Sequence, residues 1–341
     1  MMLAASPEVG PEIRRLVLLK RMATLCALLI LAITSISAYL RLANAGLGCA
    51  DWPQCYGQNL RQAQQGGAAK VGKSAAASVA STATAGARMA HRAVAIAALL
   101  LVLVMAMACF AARPALRRAG WMALGLLALA LFLAVLGRWS SGARVPAVAI
   151  GNLLGGYIML ALCWRLRQEV GGVAQAATAT NTDTARPSGQ TRMRAWAWLG
   201  VGVLLCQIAL GGLVSAGYAG LSCTGLPGCG AGIAADIGAA SLDPWREPEF
   251  PATARPPANP AGAASHMAHR YATLATLLVL LPLGLAALRG GRRRAAWLIF
   301  VLLVVQVELG LLMVALSLPL AGALAHNLIG TLLLAVVFSL V

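Results

Sequence analysis

His91, His266, His269 and His326 are the only imidazoles in the chain, and each lies within a turn or two of the end of a long apolar segment. Imidazole at membrane depth is costly unless it is paired or ligated. For any one of the four, the plain reading is a core residue bonded to a neighbouring helix carbonyl. His269 and His326 carry more, because they stand at matching ends of two helices of one bundle. Ligation of a metal or heme is the stronger reading for that pair. A heme iron takes axial ligands on opposite faces, and a four-helix bundle offers them from facing helices. His91 has no such companion: the position corresponding to His326 is Gly151, followed by Asn152. A site built on His91 is therefore not a bis-histidine heme. It either leaves one iron face open to an exchangeable ligand or is the remnant of a decayed copy.

Arg92 and Arg270 directly follow His91 and His269. Either they snorkel to the membrane edge, or their guanidinium groups pair with a propionate carboxylate. Arg88 and His266 stand one turn before His91 and His269 and share their faces. Cys26, Cys109, Cys163 and Cys206 fall in apolar segments and read as inert small residues. The pairs Cys49/Cys55 and Cys223/Cys229 fall in loops on the outer, oxidising side and are expected to form the disulfides Cys49–Cys55 and Cys223–Cys229. A staple over the bundle mouth is the safer reading for the second pair. For the first, with Asp51 and Trp52 inside the loop, a staple and a redox-active pair both stand. Zinc does not suit soft ligands in an oxidising compartment without a second histidine motif. Glu308, near Gln306, is an intramembrane carboxylate, slightly better read as protonated and bonded to a neighbouring helix than as functional. Gln207 sits within the fifth apolar segment, and Asn152 and Asn327 read as helix–helix hydrogen bonders.

The elements that position these residues follow from composition. Of 341 residues, 60% are apolar and 11% charged, with a mean hydropathy of +0.79. This excludes a disordered chain, a fibre or an ordinary soluble globule. The net charge of +17 fits basic cytoplasmic loops rather than a nucleic-acid partner, and aromatics at 5% leave little for a base-stacking surface. Eight segments, near 22–42, 87–111, 119–139, 146–165, 196–217, 263–288, 295–316 and 321–341, are long and apolar enough to span a bilayer. They lack period-2 alternation, so the fold class is an all-α membrane protein rather than a barrel. With the N-terminus inside, 16 of the 27 Lys and Arg residues fall in inner loops, Arg113 and Arg186 among them. That bias predicts a multi-pass protein of the bacterial inner membrane with both termini cytoplasmic. Ala43-Asn44-Ala45 resembles a cleavage site, but the preceding apolar run is too long for a signal core. Two outer loops, 43–86 and 218–262, are long; the first ends in an Ala/Gly/Ser tract (66–86) and the second holds a Pro-rich stretch up to Pro260.

The chain repeats. Cys49 and Cys55 correspond to Cys223 and Cys229 at an interval of 174, His91-Arg92 to His269-Arg270 at 178, and Gly151-Asn152 to His326-Asn327 at 175. Motifs in one order at a near-constant interval predict two pseudo-symmetric four-helix bundles in parallel orientation. The halves are 1–170 and 196–341, joined by a polar cytoplasmic linker, 171–195.

Gly46-Leu-Gly-Cys49-Ala-Asp51-Trp52-Pro53-Gln-Cys55, Gln207-Ile-Ala-Leu-Gly-Gly212-Leu-Val and the two His-Arg helices resemble the heme A synthase family, from Arg41 to the last span. The resemblance implies oxidation of the C8 methyl of heme O to a formyl group, by successive hydroxylations, for terminal oxidase assembly. It implies a heme b cofactor held in the C-terminal half by His269 and His326, and substrate heme O in the N-terminal half on His91. It also implies a role for Cys49 and Cys55 in heme transfer or catalysis. Arg92 and Arg270 are the candidate heme-binding arginines. A heme O synthase is the implied supplier, the electron donor is unidentified, and a homo-oligomer is possible. Two family features are missing: the second substrate histidine, replaced at Gly151/Asn152, and a Glu three residues before the helix-two histidine, replaced by Arg88. The competing readings are a membrane b-type cytochrome or degenerate paralogue binding heme b alone, a thiol-oxidising membrane protein, and a transporter. The transporter reading lacks the expected paired Gly/Pro helix breaks.

Overall fold

The computed structural model describes residues 10–47, 49, 51–58, 60–61, 75–112, 116–140, 145–178, 189–229, 239–249 and 259–341. Part of the Ala/Gly/Ser tract (66–74), Arg113, Arg186, the middle of the linker (179–188) and most of the Pro-rich stretch (250–258) lie outside them. The described chain is all-helical. Eight helices carry it: α1 (Pro11–Asn44), α2 (Ala75–Ala111), α3 (Arg117–Ser140), α4 (Pro146–Thr178), α5 (Gly189–Ala216), α6 (Ala263–Arg289), α7 (Arg293–Ala315) and α8 (Leu320–Phe338). Each contains a stretch long and apolar enough to cross a membrane, so this is a multi-pass membrane protein with eight candidate spans.

Leu, Ala and Val fill these segments, and in lipid a helix is the only single-segment structure that satisfies its own backbone. Boundaries follow local chemistry. Proline opens α1 and α4, where its missing N–H costs nothing. Gly290 and Gly291 end α6, with Gly291 at φ +75°, so three residues suffice to turn into α7. Two stretches are more helical than composition suggests. The tract before the second span is helical from Ala75, because alanine is the best helix former whatever its neighbours. The linker is helical at both ends, since α4 continues to Thr178 and α5 begins at Gly189.

Helices α1–α4 share one apolar core, with Ile30, Val102, Met105, Leu126 and Leu166 at its centre. Helices α5–α8 share another, around Leu280, Leu283, Ile299, Leu333 and Leu334. Tyr157 and Ala161 of α4 lie in the second core and Ala335 of α8 in the first, so the two sets interdigitate along α4 and α8. Close packing uses small residues, as expected where lipid offers no hydrophobic drive between helices. Phe110 lies over Gly120 and Phe300 over Gly284. A third cluster, Leu42, Ala45, Leu47, Tyr56, Leu221 and Ala323, ties both cysteine loops to one end of the bundle.

Candidate functional site

Helices α6 and α8 bring His269 and His326 together, with ring centroids 6.3 Å apart and planes at 72°. Both rings bury an Nδ1 that has no hydrogen-bond partner among the described residues, and so does His266 one turn earlier on α6. Each ring of the pair is served by a glutamine and a glycine four residues apart on the helix facing it. On α5, Gln207 donates to the His269 carbonyl (3.1 Å) and to Thr273 Oγ1 (2.9 Å), while a Cβ at Gly211 would stand 3.0 Å from His269 Cε1. On α7, the Gln306 side-chain amide is paired with His326 Nε2 (3.0 Å), and a Cβ at Gly310 would stand 3.7 Å from His326 Cε1.

The histidines, Gln207 and Gln306 stand out in the sequence, whereas the role of the repeated Gln-x3-Gly spacing as histidine support emerges only when the fold pairs α5 with α6 and α7 with α8. That spacing on two helices, each preceding a histidine-bearing one, is the signal that finds it.

Two facing imidazoles with unspent ring nitrogens, against glycines that leave room beside them, fit a group needing two axial nitrogen ligands. They do not fit a polydentate metal cage: among the described residues no three His, Cys, Asp or Glu side chains converge. Asn327, next to His326, ties α8 to the other half. Its side-chain oxygen accepts from Arg41 Nη2 (2.9 Å), its backbone carbonyl accepts from the Tyr157 hydroxyl (2.7 Å), and Arg41 Nε donates to Ser215 Oγ (3.1 Å). Asn327 is thus a helix–helix bonder, joining α1, α4 and α8.

His91 sits on α2, partly exposed, with no hydrogen bond among the described residues, and no second imidazole reaches it. At Gly151 on α4 an added Cβ would stand 3.0 Å from Leu136 Cδ2, so a leucine occupies the space beside this glycine. Arg88 and Arg92 are exposed on α2. Arg270 is not at the membrane edge awaiting a partner. Its guanidinium donates to the carbonyls of Cys223 (2.7 Å), Gly225 (2.7 Å) and Gly228 (2.9 Å), clamping the second cysteine loop onto α6.

Both outer pairs, Cys49–Cys55 and Cys223–Cys229, are disulfides. Gly46 allows the first loop to close, with φ at +98° and a Cβ position 2.6 Å from the Cys55 carbonyl oxygen; only glycine fits there. The loops meet through Tyr56, which is 1% exposed and whose hydroxyl accepts from the Gly220 N–H (3.2 Å). Burial raises its phenol pKa above the ordinary tyrosine value. Glu308 is exposed on α7 and has no hydrogen bond or ion pair among the described residues. The neighbouring-helix bond expected for it is absent there, because it points away from the bundle.

A family model described as cytochrome oxidase assembly protein, COX15-CtaA, matches residues 20–338. The chain is also 30% identical over 302 residues to the heme A synthase of Shewanella oneidensis, covering 87% of this chain and 88% of that protein.

Proposed function

Because the chain belongs to the COX15-CtaA, or heme A synthase, family of cytochrome oxidase assembly proteins, we propose that it is itself a heme A synthase, a heme-dependent membrane oxidoreductase acting on heme O. The observation that carries this reading is the pair His269 and His326, 6.3 Å apart with unspent ring nitrogens. These two residues would hold heme b, which when bound supplies a one-electron relay. Gln207 fixes the backbone of the His269 turn, and Gln306 orients the His326 ring. Arg270 holds the cysteine loop over the same end of α6 and so acts on the cofactor through the loop.

Substrate heme O belongs to the first half. His91 would be its one protein ligand, and Arg92 a partner for a propionate. Gly151, with Leu136 beside it, stands where His326 stands in the other four-helix set, so no second imidazole would be offered to the substrate from that position. Converting a methyl to a formyl group removes four electrons; two hydroxylations, each of which would consume one dioxygen with two donor electrons and two protons and release one water, would give a geminal diol that loses water. Cys49–Cys55 lies in the first outer loop, where it would take part in heme transfer or catalysis. The cysteine loops face the outside of the bacterial inner membrane and both termini the cytoplasm. A heme O synthase supplies the substrate, and a separate donor supplies electrons.

Gly151 favours a second reading specifically: a b-type cytochrome or degenerate paralogue that keeps only the second-half heme. Purification from cells that also make heme O, followed by mass-detected chromatography of extracted hemes, decides between them. Heme b with heme A or hydroxylated heme O supports the synthase. Heme b alone overturns it in favour of the second reading.

A further inference from the structure

The end of the bundle opposite the cysteine loops gathers like charge. There α4 carries Arg165 and Glu169, one turn apart and both only partly exposed. The Glu169 carboxylate bridges two guanidiniums, Arg118 Nη1 at the start of α3 (3.5 Å) and Arg165 Nη1 (3.8 Å). Two further guanidiniums, Arg194 near the start of α5 and Arg292 in the α6–α7 turn, lie close enough for their charges to act on Arg165. A Cβ at Gly290 would stand 3.7 Å from Met193 Sδ, so the start of α5 lies beside that turn.

A basic excess at one end of a membrane protein follows from topology alone, and separate loops disperse it into water. Here arginines from both four-helix sets converge on one carboxylate. Arg194 and Arg292 are exposed and make no hydrogen bond or ion pair among the described residues. The other carboxylate described at this end, Glu12, stands apart at the start of α1. A second observation fixes the level of the cluster. Trp121, Trp198 and Trp297 are exposed and follow Arg118, Arg194 and Arg293 by three or four residues, one turn deeper into their spans. Exposed tryptophans on membrane helices sit at the headgroup level. The guanidiniums one turn beyond them are therefore level with lipid phosphates.

We propose that Arg118, Arg165, Arg194 and Arg292 form a binding site for the phosphates of an anionic phospholipid, with one molecule bridging the two four-helix sets. Guanidinium forks match phosphate oxygens, and basic pockets between membrane helices suit lipid headgroups. A lipid with two phosphates, such as cardiolipin, suits a cluster whose surplus exceeds one charge. The tryptophans beside the arginines favour a lipid over free phosphate. Glu169 holds Arg118 and Arg165 in place and competes with the lipid for them. The site lies at the far end of the helices from His269 and His326, so the inference holds whichever heme the protein carries.

The test titrates the full-length protein in detergent with tetraoleoyl cardiolipin, dioleoyl phosphatidylcholine and inorganic phosphate, and counts bound lipid by native mass spectrometry. Wild type is expected to retain a single cardiolipin that neither phosphatidylcholine nor inorganic phosphate displaces. Arg194→Gln with Arg292→Gln is expected to weaken cardiolipin binding roughly 25-fold, about fivefold for each arginine. Arg15→Gln with Arg21→Gln removes the same charge from exposed positions on α1 at the same end and is expected to change it less than about threefold. Glu169→Gln removes the competing carboxylate and is expected to tighten binding. Elution volume and thermal midpoint confirm that each variant is folded, and the two arginine pairs decide the matter if Glu169→Gln is not. Equal losses in the two arginine pairs would reduce the effect to diffuse surface charge and overturn the proposal. Displacement by inorganic phosphate, or equal retention of phosphatidylcholine, overturns it as well.

Discussion

Replacing Gly211 and Gly310 separately by alanine tests whether the imidazole pair is a ligand site. A new Cβ at 211 stands 3.0 Å from His269 Cε1, whereas one at 310 stands 3.7 Å from His326 Cε1. Carbon–carbon contacts are optimal at about 3.5–4.0 Å, so Gly310→Ala is an ordinary contact and Gly211→Ala an overlap. The His269 ring must then move by about half an ångström or more, or α5 and α6 must part. Overpacking of this kind costs about 1–3 kcal/mol. At 1.4 kcal/mol per decade that is roughly a 5- to 150-fold loss of heme affinity. Both variants gain about 1 kcal/mol of helix propensity, so the difference between them isolates the ring contact. The assay is heme per protein by pyridine hemochrome, with the low-spin electron paramagnetic resonance signal and thermal unfolding measured on the same samples. Gly310→Ala is expected to retain heme b and melt no lower than wild type. Gly211→Ala is expected to lose heme or show a shifted low-spin signal. Equal heme content and signal in the two variants would refute the argument, because the contact would then not constrain a ligand.

Arg270→Ala should release the second cysteine loop and raise proteolysis near Gly225–Gly228. Arg270→Lys should restore protection only in part, since three carbonyls are bonded by one fork. Arg41→Ala and Asn327→Ala should each lower the thermal midpoint in detergent, and the double variant should lower it little further, because both remove the same hydrogen bond. Additive shifts would show that the two residues act independently. Tyr56→Phe should cost about 0.5–1.5 kcal/mol by unpairing the Gly220 N–H. Because the Tyr56 pKa is raised on folding, its stabilising contribution is intact below about pH 10, the ordinary tyrosine value, and is lost as pH rises above it. The phenylalanine variant should lack that alkaline decline, and a parallel decline in both proteins would exclude Tyr56 as its source.

The spans, the cysteine pairs and the His269/His326 couple are legible in the sequence for physical reasons. Membrane thickness sets the length of an apolar run, and motifs recurring in one order at an interval of 174 to 178 draw attention to the same residue types twice. What escaped depends on which partner a group meets in space. Arg270 reads from sequence as either snorkelling or pairing with a propionate, and its bonds to the carbonyls of the second cysteine loop depend on a loop conformation that spacing does not give. The tract from Ala75 shares its composition with flexible linkers but continues the helix of the second span. Glu308 looks like a buried carboxylate because α7 is apolar all round, so periodicity gives no sign of which side faces the bundle.

The two halves differ in more than one histidine. At the interval of 174 or 175, the residues corresponding to Gln207, Gly211, Gln306 and Gly310 are Ile33, Ser37, Leu131 and Val135. The first half lacks both Gln-x3-Gly supports as well as the imidazole at Gly151. Loss of a ligand alone would suggest decay. On the proposed function, absence of ligand and supports together, with Cys49, Cys55, His91 and Arg92 present, fits a site with a single ligand better, and a leucine, Leu136, lies beside Gly151. A saturated iron suits electron relay and an iron with a free face suits chemistry on the ligand it binds. On the proposed function, this asymmetry is the division of labour that an oxidising enzyme with an internal electron relay needs. A pure electron carrier has no use for the open half, and that is why the hemes extracted from the first half decide between the two readings.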